Sequence, residues 1–145
     1  MILDAFANLS VEEKLGNLGA VVERKIFITD WIRTHLFPVP YRGSSQFTAV
    51  SKARPYLNHF VGGDGLETVG YTVMGSEEGL DGMIHIMPFT CMPEIVARAV
   101  LPEVTREENM PVLSLSFDEH TGEAGLMTRL EAFLDLREER RGDRA

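Results

Sequence analysis

The second half of this chain alternates strand-like and helix-like segments, and this alternation constrains the fold more than any other feature. Apolar runs at 82–87 and 112–117 are each followed by a longer segment in which apolar residues recur at helical spacing, over 92–109 and 121–140. Pro102 is expected to kink or divide the first of these helices. Strands separated by helices pair in parallel within one sheet, and the helices pack against it. The pattern predicts an α/β domain, three-layered and Rossmann-like or flavodoxin-like, with a parallel sheet.

The first half of the chain carries weaker signals for regular structure. Ser10 followed by Glu13 has the spacing of a capping box and predicts a helix over 11–18 that ends at Gly19. The β-branched and aromatic residues over 20–28 predict a third strand, parallel to the other two. The remaining segments are predicted, in order, as a short helix at 29–36, a loop at 38–47, an ambiguous stretch at 48–60, a turn at 61–65 and a helix at 66–76.

Length and composition are those of one globular domain. The chain has 145 residues, of which 44% are apolar and 25% are charged, which is enough for a substantial core. We predict a single domain over 1–137. The remaining residues, 138–145, form a charged tail without apolar periodicity, and we expect this tail to fray.

The charge balance and the cysteine content narrow the function classes. The formal net charge is −8, which disfavours a nucleic-acid surface because such a surface needs basic residues to neutralise phosphates. The same charge argues more weakly against anionic membranes, and no apolar run approaches the roughly 20 residues of a spanning helix. The N-terminus lacks the basic segment of a signal peptide. A single cysteine then fits a reducing cytoplasm.

The one cysteine, Cys91, lies between the strand at 82–87 and a helix that begins near Pro93. One thiol cannot form an internal disulfide or hold a metal alone. At a helix N-terminus it faces the positive end of the helix dipole and free N–H groups, and both favour the thiolate. Three interpretations stay open: a small buried apolar residue, a reactive thiol, or one ligand of a site that is completed elsewhere.

A polar loop follows the strand at 112–117. Ligands of parallel sheets bind at the carboxyl ends of the strands, so this loop is a second candidate. Its side chains could accept hydrogen bonds from a ligand, bind a cation or transfer a proton, or the loop could be a solvated helix cap. We predict that Cys91 is partly accessible and lies near it. The loop consists of Asp118, Glu119, His120, Thr121 and Gly122.

Two further features carry weaker signals. His85 lies within a predicted strand without ligand-like spacing around it, so we expect a structural role. The glycine-rich segment at 62–65 lacks the G-x-G-x-x-G spacing of a dinucleotide site and predicts a tight turn with positive φ angles. This segment becomes a third candidate ligand-binding segment if it also lies at the edge of the sheet where the strands have their carboxyl ends. These patterns assign no residue a catalytic role.

Several stretches together resemble a known family. "DAFANLSVEEKLGNLGAVV", "PYLNHFVGGDGLETVGYTV", "GLDGMIHIMPFTCMPEIVARAVLPEV" and "PVLSLSFDEHTGEAGLMTRLEAFLDL" occur in this order. They resemble the C-terminal part of 2-hydroxyacyl-CoA dehydratase-like proteins, in the branch named acyl-CoA dehydratase activase-related, or CoA-substrate-specific enzyme activase. The resemblance covers about residues 4–137, and "MPFTCMPEIV" and "DEHTGEAG" are its most specific parts.

The resemblance implies ATP-driven transfer of single electrons at low potential through iron–sulfur clusters. In the dehydratases the acceptor is a CoA thioester, and an ATP-hydrolysing activator module acts on the same chain or as a separate partner. A cysteine at the position of Cys91 looks like one thiolate ligand of a [4Fe–4S] cluster, with the companion cysteines in upstream domains. Met87, Phe89 and Met92 would supply an apolar wall.

This chain departs from the family pattern in two ways: it has no upstream cysteines, and it starts at Met1 just before "FAN", where the relatives carry a preceding strand. We therefore expect an excised C-terminal domain that lacks part of its first strand, holds no cluster alone and is inactive in isolation. The missing strand would leave an unpaired sheet edge, so we expect an oligomer of two or more copies. The acyl-CoA substrate is not encoded in any recognisable motif.

Two alternatives stay open beside the cluster-bearing domain. One is a non-catalytic docking or ligand-binding module of the same large protein, in which Cys91 is structural and the acidic surface contacts an ATPase partner. The other is a flavodoxin-like domain that holds a phosphate with "GGDG" and "DEHTGEAG". Acidic loops disfavour the phosphate site, because such sites use N–H groups with Lys or Arg.

Overall fold

A computed structural model describes residues 5–27 and 45–142 of the chain. The predicted helix at 29–36 lies outside the described residues, as does most of the predicted loop at 38–47. The helices within the described part are α1 (Val11–Asn17), α2 (Ser45–Ala53), α3 (Gly65–Glu77), α4 (Met92–Glu108) and α5 (Glu123–Gly142), and the strands are β1 (Met83–Pro88) and β2 (Val112–Phe117).

The two strands form one parallel sheet. The N–H of Met83 donates to the carbonyl oxygen of Pro111 at 2.9 Å, and the N–H of Phe89 donates to that of Phe117 at 3.0 Å. The two partners are the same number of positions apart in both bonds, and this constant separation is characteristic of parallel strands. Helix α4 connects the strands, as a parallel pair requires. The predicted α/β class and the parallel pairing of the last two strands are therefore confirmed.

The prediction of a third strand at 20–28 is wrong over residues 20–27, the part of this segment that the structure describes. Residues 20–27 form no strand, and residue 28 lies outside the described part. Val21 is fully exposed and Phe27 is 47% exposed, so these apolar side chains lack the packed neighbours that a strand face needs. Lys25 instead forms an ion pair with Glu78. β-Propensity reflects packing on a half-buried sheet surface, and composition alone does not supply that surface.

Helix α1 is confirmed, but its N-terminal cap differs from the prediction. Ser10 has φ 54°, in the left-handed region, and its hydroxyl makes no capping hydrogen bond, so the predicted capping box is wrong. The side chain of Asn8 accepts the Val11 N–H instead, at 3.4 Å. The C-terminal prediction is confirmed, because Gly19 has φ 86° and the N–H of Ala20 donates to the carbonyl of Leu15.

Helix α2 corrects the predictions for two segments. Residues 45–47, predicted as loop, begin this helix, and the ambiguous stretch at 48–60 is helical only to Ala53. The helix ends two residues before Pro55 because the residue that precedes a proline is disfavoured in the helical region. Pro102 does not divide α4. Pro102 and Arg98 are both exposed, so the Arg98 carbonyl that loses its helical partner can meet water.

The described residues fall into two compact units, each with its own apolar core. The first unit lies within Met1–Glu23, Ile84–Phe89 and Leu113–Ala145. Its core joins α1, β2 and α5. The buried side chains are Val11, Leu15, Leu115, Phe117, Leu126 and Leu130. Full burial of such a side chain stabilises the fold by about 1.5–3 kcal/mol.

The second unit lies within Arg24–Met83 and Thr90–Val112. Helices α2 and α3 cross in backbone contact, because a Cβ on Gly70 would lie 1.8 Å from the carbonyl oxygen of Ala49. Helix α3 also packs on α4. The core side chains are Ala53, Leu57, Leu66, Val69, Val73, Ala97 and Val104. The prediction of a single domain over 1–137 stays a prediction.

Candidate functional site

The carboxyl ends of β1 and β2 lie at the same edge of the sheet. The hydrogen bond from Phe89 to Phe117 joins the last residues of the pairing. The segment that holds Cys91 and the loop that begins at Asp118 therefore follow adjacent parallel strands. This edge is the place where parallel sheets usually bind ligands.

Cys91 is the N-cap residue of α4. Its carbonyl oxygen accepts the Ile95 N–H at 2.9 Å, which is the first bond of the helix, and its side chain makes no capping hydrogen bond. The residue is half-buried. Its chain neighbours Phe89 and Met92 are 63% and 69% exposed, whereas Met87 is 1% exposed. Met87 therefore cannot contribute to an exposed apolar wall, and that part of the expectation is wrong.

The glycine-rich segment packs on the first turn of α4. Gly62 and Gly63 have φ 87° and 46°, which confirms the predicted turn with positive φ. A Cβ on Gly63 would lie 3.1 Å from Pro93 Cγ, and one on Gly65 would lie 2.7 Å from the Pro93 carbonyl oxygen. The third candidate segment thus borders the helix turn that Cys91 caps. Glycine is needed here for close approach as well as for backbone conformation.

Two carboxylates accompany this contact. Glu94, in the first turn of α4, is 7% exposed and accepts a hydrogen bond from the Thr68 hydroxyl at 3.0 Å. Partial burial raises the pKa of Asp64, and the negative charge of Glu94 raises it further. Carboxylates at a helix N-terminus are favoured by the dipole. Negative charge is therefore concentrated where the glycine-rich segment meets the first turn of α4, which disfavours binding of an anion such as phosphate there.

The loop after β2 is held together by its own side chains. The Asp118 carboxylate accepts the Thr121 hydroxyl at 2.8 Å and the His120 N–H at 3.0 Å, and both bonds lower the pKa of Asp118. The Asp118 N–H donates back to the Thr121 hydroxyl at 2.9 Å. Glu119 and the His120 imidazole are 86% and 83% exposed. This geometry favours the structural interpretation for Asp118 and Thr121, as parts of a solvated turn that is closed by its own side chains.

The start of α5 borders a cavity of about 180 Å³. Glu123 pairs with Lys14 at 2.8 Å, and this hydrogen-bonded cation lowers the pKa of Glu123. The Arg129 guanidinium donates to the Ser114 carbonyl oxygen at 3.3 Å. The cavity is lined by Leu115, Ser116, Phe117, Thr121, Gly122, Gly125, Leu126 and Arg129.

His85 has the structural role that the sequence predicts. Its side chain is 5% exposed, and Nδ1 lies 3.1 Å from the Ser114 hydroxyl on the adjacent strand. A buried imidazole with a hydrogen-bond partner needs no ligand to explain it.

Two of the three predicted candidate segments lie close together in the structure, and the position of the third relative to them stays a prediction. It brings the glycine-rich segment to the helix that Cys91 caps, whereas proximity of Cys91 to the 118–122 loop stays a prediction. Sequence reasoning missed Thr68, Glu94 and Arg129. A glutamate directly after the N-terminal proline of a helix was the one available signal for Glu94.

Across 5–27 and 45–142, no group of three or more His, Cys, Asp or Glu side chains could hold a metal ion. Within the same residues, every helix is too short or too polar to cross a bilayer. No family model, curated protein or solved structure matches the chain.

Proposed function

We propose that this chain is the C-terminal domain of a 2-hydroxyacyl-CoA dehydratase-like protein of the activase-related branch, and that Cys91 provides one thiolate ligand of a [4Fe–4S] cluster. The observation that carries the proposal is the position of Cys91. The residue is half-buried and occupies the N-cap position of a helix that follows a parallel strand. Its thiol makes no capping hydrogen bond. A thiol of this kind is available to a ligand, whereas an enclosed core cysteine is not.

The chain by itself does not complete such a cluster. A [4Fe–4S] cluster is held by several thiolates, commonly four, and the sequence has one cysteine. The resemblance places the other ligands in upstream domains of a longer polypeptide. ATP-driven electron transfer at low potential, an ATP-hydrolysing activator module as partner, an acyl-CoA acceptor and a cytoplasmic location rest on the sequence resemblance. A three-layer Rossmann-like arrangement around the parallel strands belongs to the same proposal.

The decisive variant is Cys91→Ala in the full-length protein, after anaerobic reconstitution with iron and sulfide. We expect less iron and sulfide per chain and loss of ATP-dependent reduction. Far-ultraviolet circular dichroism should be unchanged, because a half-buried cap residue without a side-chain hydrogen bond contributes little to folding. The isolated domain should bind no cluster.

The matched control is Ser51→Ala, at an exposed position of α2, which should keep the full iron content. Unchanged iron and sulfide in the Cys91→Ala protein would remove Cys91 from the ligand set. The resemblance to the family would then stand without its metal assignment.

A docking module with a structural Cys91 is the second candidate, and exposed apolar side chains favour it. Phe60, Met92 and Ile95 of the second unit are 75%, 69% and 42% exposed. Large apolar groups of this kind often mark protein contacts. In this case Met92→Ser should abolish capture of the ATPase partner, while Cys91→Ala leaves both capture and iron content unchanged.

A further inference from the structure

The cavity between β2 and the start of α5 has no role in the proposed function. It measures about 180 Å³ and lies beside the carboxyl half of β2, on the side of the sheet where parallel strands usually bind ligands. Leu115, Phe117 and Leu126 make most of its wall apolar, and Ser116 and Arg129 add polar groups. An apolar pocket with a few converging polar groups is the usual form of a small-molecule site.

Two glycines keep this cavity open. Gly122 and Gly125 line it, and no atom lies within 4 Å of the place where a Cβ would be on either residue. Gly125 lies inside α5, where glycine is less favourable than alanine, and its φ angle is not positive. Backbone conformation and packing among the described residues therefore do not explain Gly125. Space for a ligand does, because a side chain at this position would occupy part of the cavity.

Arg129 is the one charged residue in the wall that the described residues form. Its guanidinium donates to the Ser114 carbonyl oxygen at 3.3 Å, and no carboxylate in the described part of the chain pairs with it. The bond to Ser114 holds the guanidinium beside the strand and leaves other N–H groups for a second partner. The wall thus has a positive charge and no negative one, although the chain has 22 acidic and only 14 basic residues.

The acidic residues next to the lining residues in sequence have other surroundings. The Asp118 carboxylate accepts the Thr121 hydroxyl within its own turn. Glu123 pairs with Lys14 of α1 at 2.8 Å, and the Glu119 side chain is 86% exposed. None of these carboxylates lines the cavity, so the acidic sequence of the loop does not exclude an anion there.

We infer that this cavity binds a small organic carboxylate, with the carboxylate on Arg129 and the apolar part of the ligand against Leu115, Phe117 and Leu126. An arginine guanidinium holds a carboxylate through two parallel N–H···O bonds. A volume of about 180 Å³ equals that of roughly six water molecules, which limits the ligand to about six non-hydrogen atoms. The site is independent of the Cys91 proposal.

Butanoate matches this size and is the probe, and butanamide is its neutral counterpart. Each is titrated into the 145-residue chain, labelled with nitrogen-15, while amide chemical shifts are followed by two-dimensional NMR. For butanoate we expect saturable shifts concentrated at Ser116, Gly122 and Gly125, with a dissociation constant in the millimolar range because the ligand is small. Butanamide should bind about fivefold more weakly, since it lacks the charge that a partly exposed arginine attracts.

Two variants assign the contacts of the ligand. Arg129→Gln should weaken butanoate binding to the level of butanamide and leave butanamide binding unchanged. The matched control is Arg106→Gln on α4, at a side chain that is 73% exposed, and it should change neither affinity. Gly125→Leu should abolish binding of both ligands, because its side chain fills the cavity. It should also raise the thermal midpoint, since leucine is the better helix residue, and this rise identifies a folded protein.

Three results would overturn the inference. The first is the absence of saturable butanoate shifts at the residues that line the cavity. The second is equal affinity for butanoate and butanamide, or a butanoate affinity unaffected by Arg129→Gln, since either result removes the guanidinium from the contact. The third is butanoate binding that persists in the Gly125→Leu protein, which would place the ligand on another surface.

Discussion

At the scale of single residues, two helix glycines show how local context decides the effect of one methyl group. Gly70 in α3 has the Ala49 carbonyl oxygen where its Cβ would be, at 1.8 Å. Gly125 in α5 has open space at the same position. The intrinsic helix preference for alanine is the same at both sites, so only the surroundings differ.

Alanine substitutions at these two glycines should change stability in opposite directions. Gly70→Ala forces α2 and α3 apart and should lower the free energy of unfolding by about 3 kcal/mol or more, because backbone cannot move aside as a side chain can. Gly125→Ala should raise that free energy by up to about 1 kcal/mol in the monomer. Urea unfolding followed by circular dichroism at low protein concentration measures both. Equal effects of the two changes would contradict the backbone crossing.

At the scale of elements, the first turn of α4 packs against the glycine-rich segment and against α3 within the second unit. Pro93 packs on the glycine-rich segment, Glu94 accepts a bond from Thr68 of α3, and Asp64 precedes α3. Partial burial of the Asp64 carboxyl disfavours its charged form, and the nearby negative charge of Glu94 disfavours it further. The raised pKa of Asp64 follows from this arrangement.

Asp64→Asn should therefore stabilise the protein at neutral pH. A carboxyl whose pKa is higher in the folded than in the unfolded chain makes folding less favourable as pH rises through that interval. The amide removes this penalty, so the variant should gain over the wild type above about pH 4 and match it at lower pH. Urea unfolding of both proteins between pH 3 and pH 7 measures this difference in the free energy of unfolding.

Asp118→Asn is the matched control, and we expect it to change stability at neutral pH in the opposite direction. The pKa of Asp118 is lowered by bonds from Thr121 and His120, so its stabilising contribution is present above the unfolded pKa and is lost as pH falls through the folded one. The variant should lose stability at neutral pH and approach the wild type in acid. If both variants changed the free energy of unfolding in the same direction at neutral pH, the environments assigned to Asp64 and Asp118 would be contradicted.

Elements with a strong periodic pattern could be predicted from the sequence, and contacts between distant segments could not. Strand β2 was predicted with its observed bounds, and α3 and α4 within one residue at either end, because apolar spacing reflects which side chains are buried. The strand at 20–28 failed because β-branched residues specify a strand only where a neighbouring edge receives them. The contact of Pro93 with Gly63 joins segments thirty residues apart, and no local pattern encodes it.

At the scale of the whole molecule, net charge acts on stability independently of the candidate site. Acidic residues number 22 and basic residues 14, which leaves a formal charge of −8. The ion pairs of Lys52 with Glu77 and of Arg106 with Glu103 have side chains more than 40% exposed, and such exposed pairs contribute at most about 1 kcal/mol. Self-repulsion among the excess carboxylates should therefore outweigh the attraction that these pairs provide.

Added salt should accordingly raise the thermal midpoint at neutral pH. Between about 0.01 M and 0.15 M ionic strength the screening length falls from about 30 Å to about 8 Å, so repulsion between distant carboxylates is largely removed. Each kcal/mol gained raises the midpoint by about 3 °C for a chain of this size. Near pH 5, close to the sequence pI of about 5.0, the net charge vanishes and the same salt should have little effect. A midpoint that falls with salt at neutral pH would show that the ion pairs, and not the excess charge, dominate the electrostatic free energy.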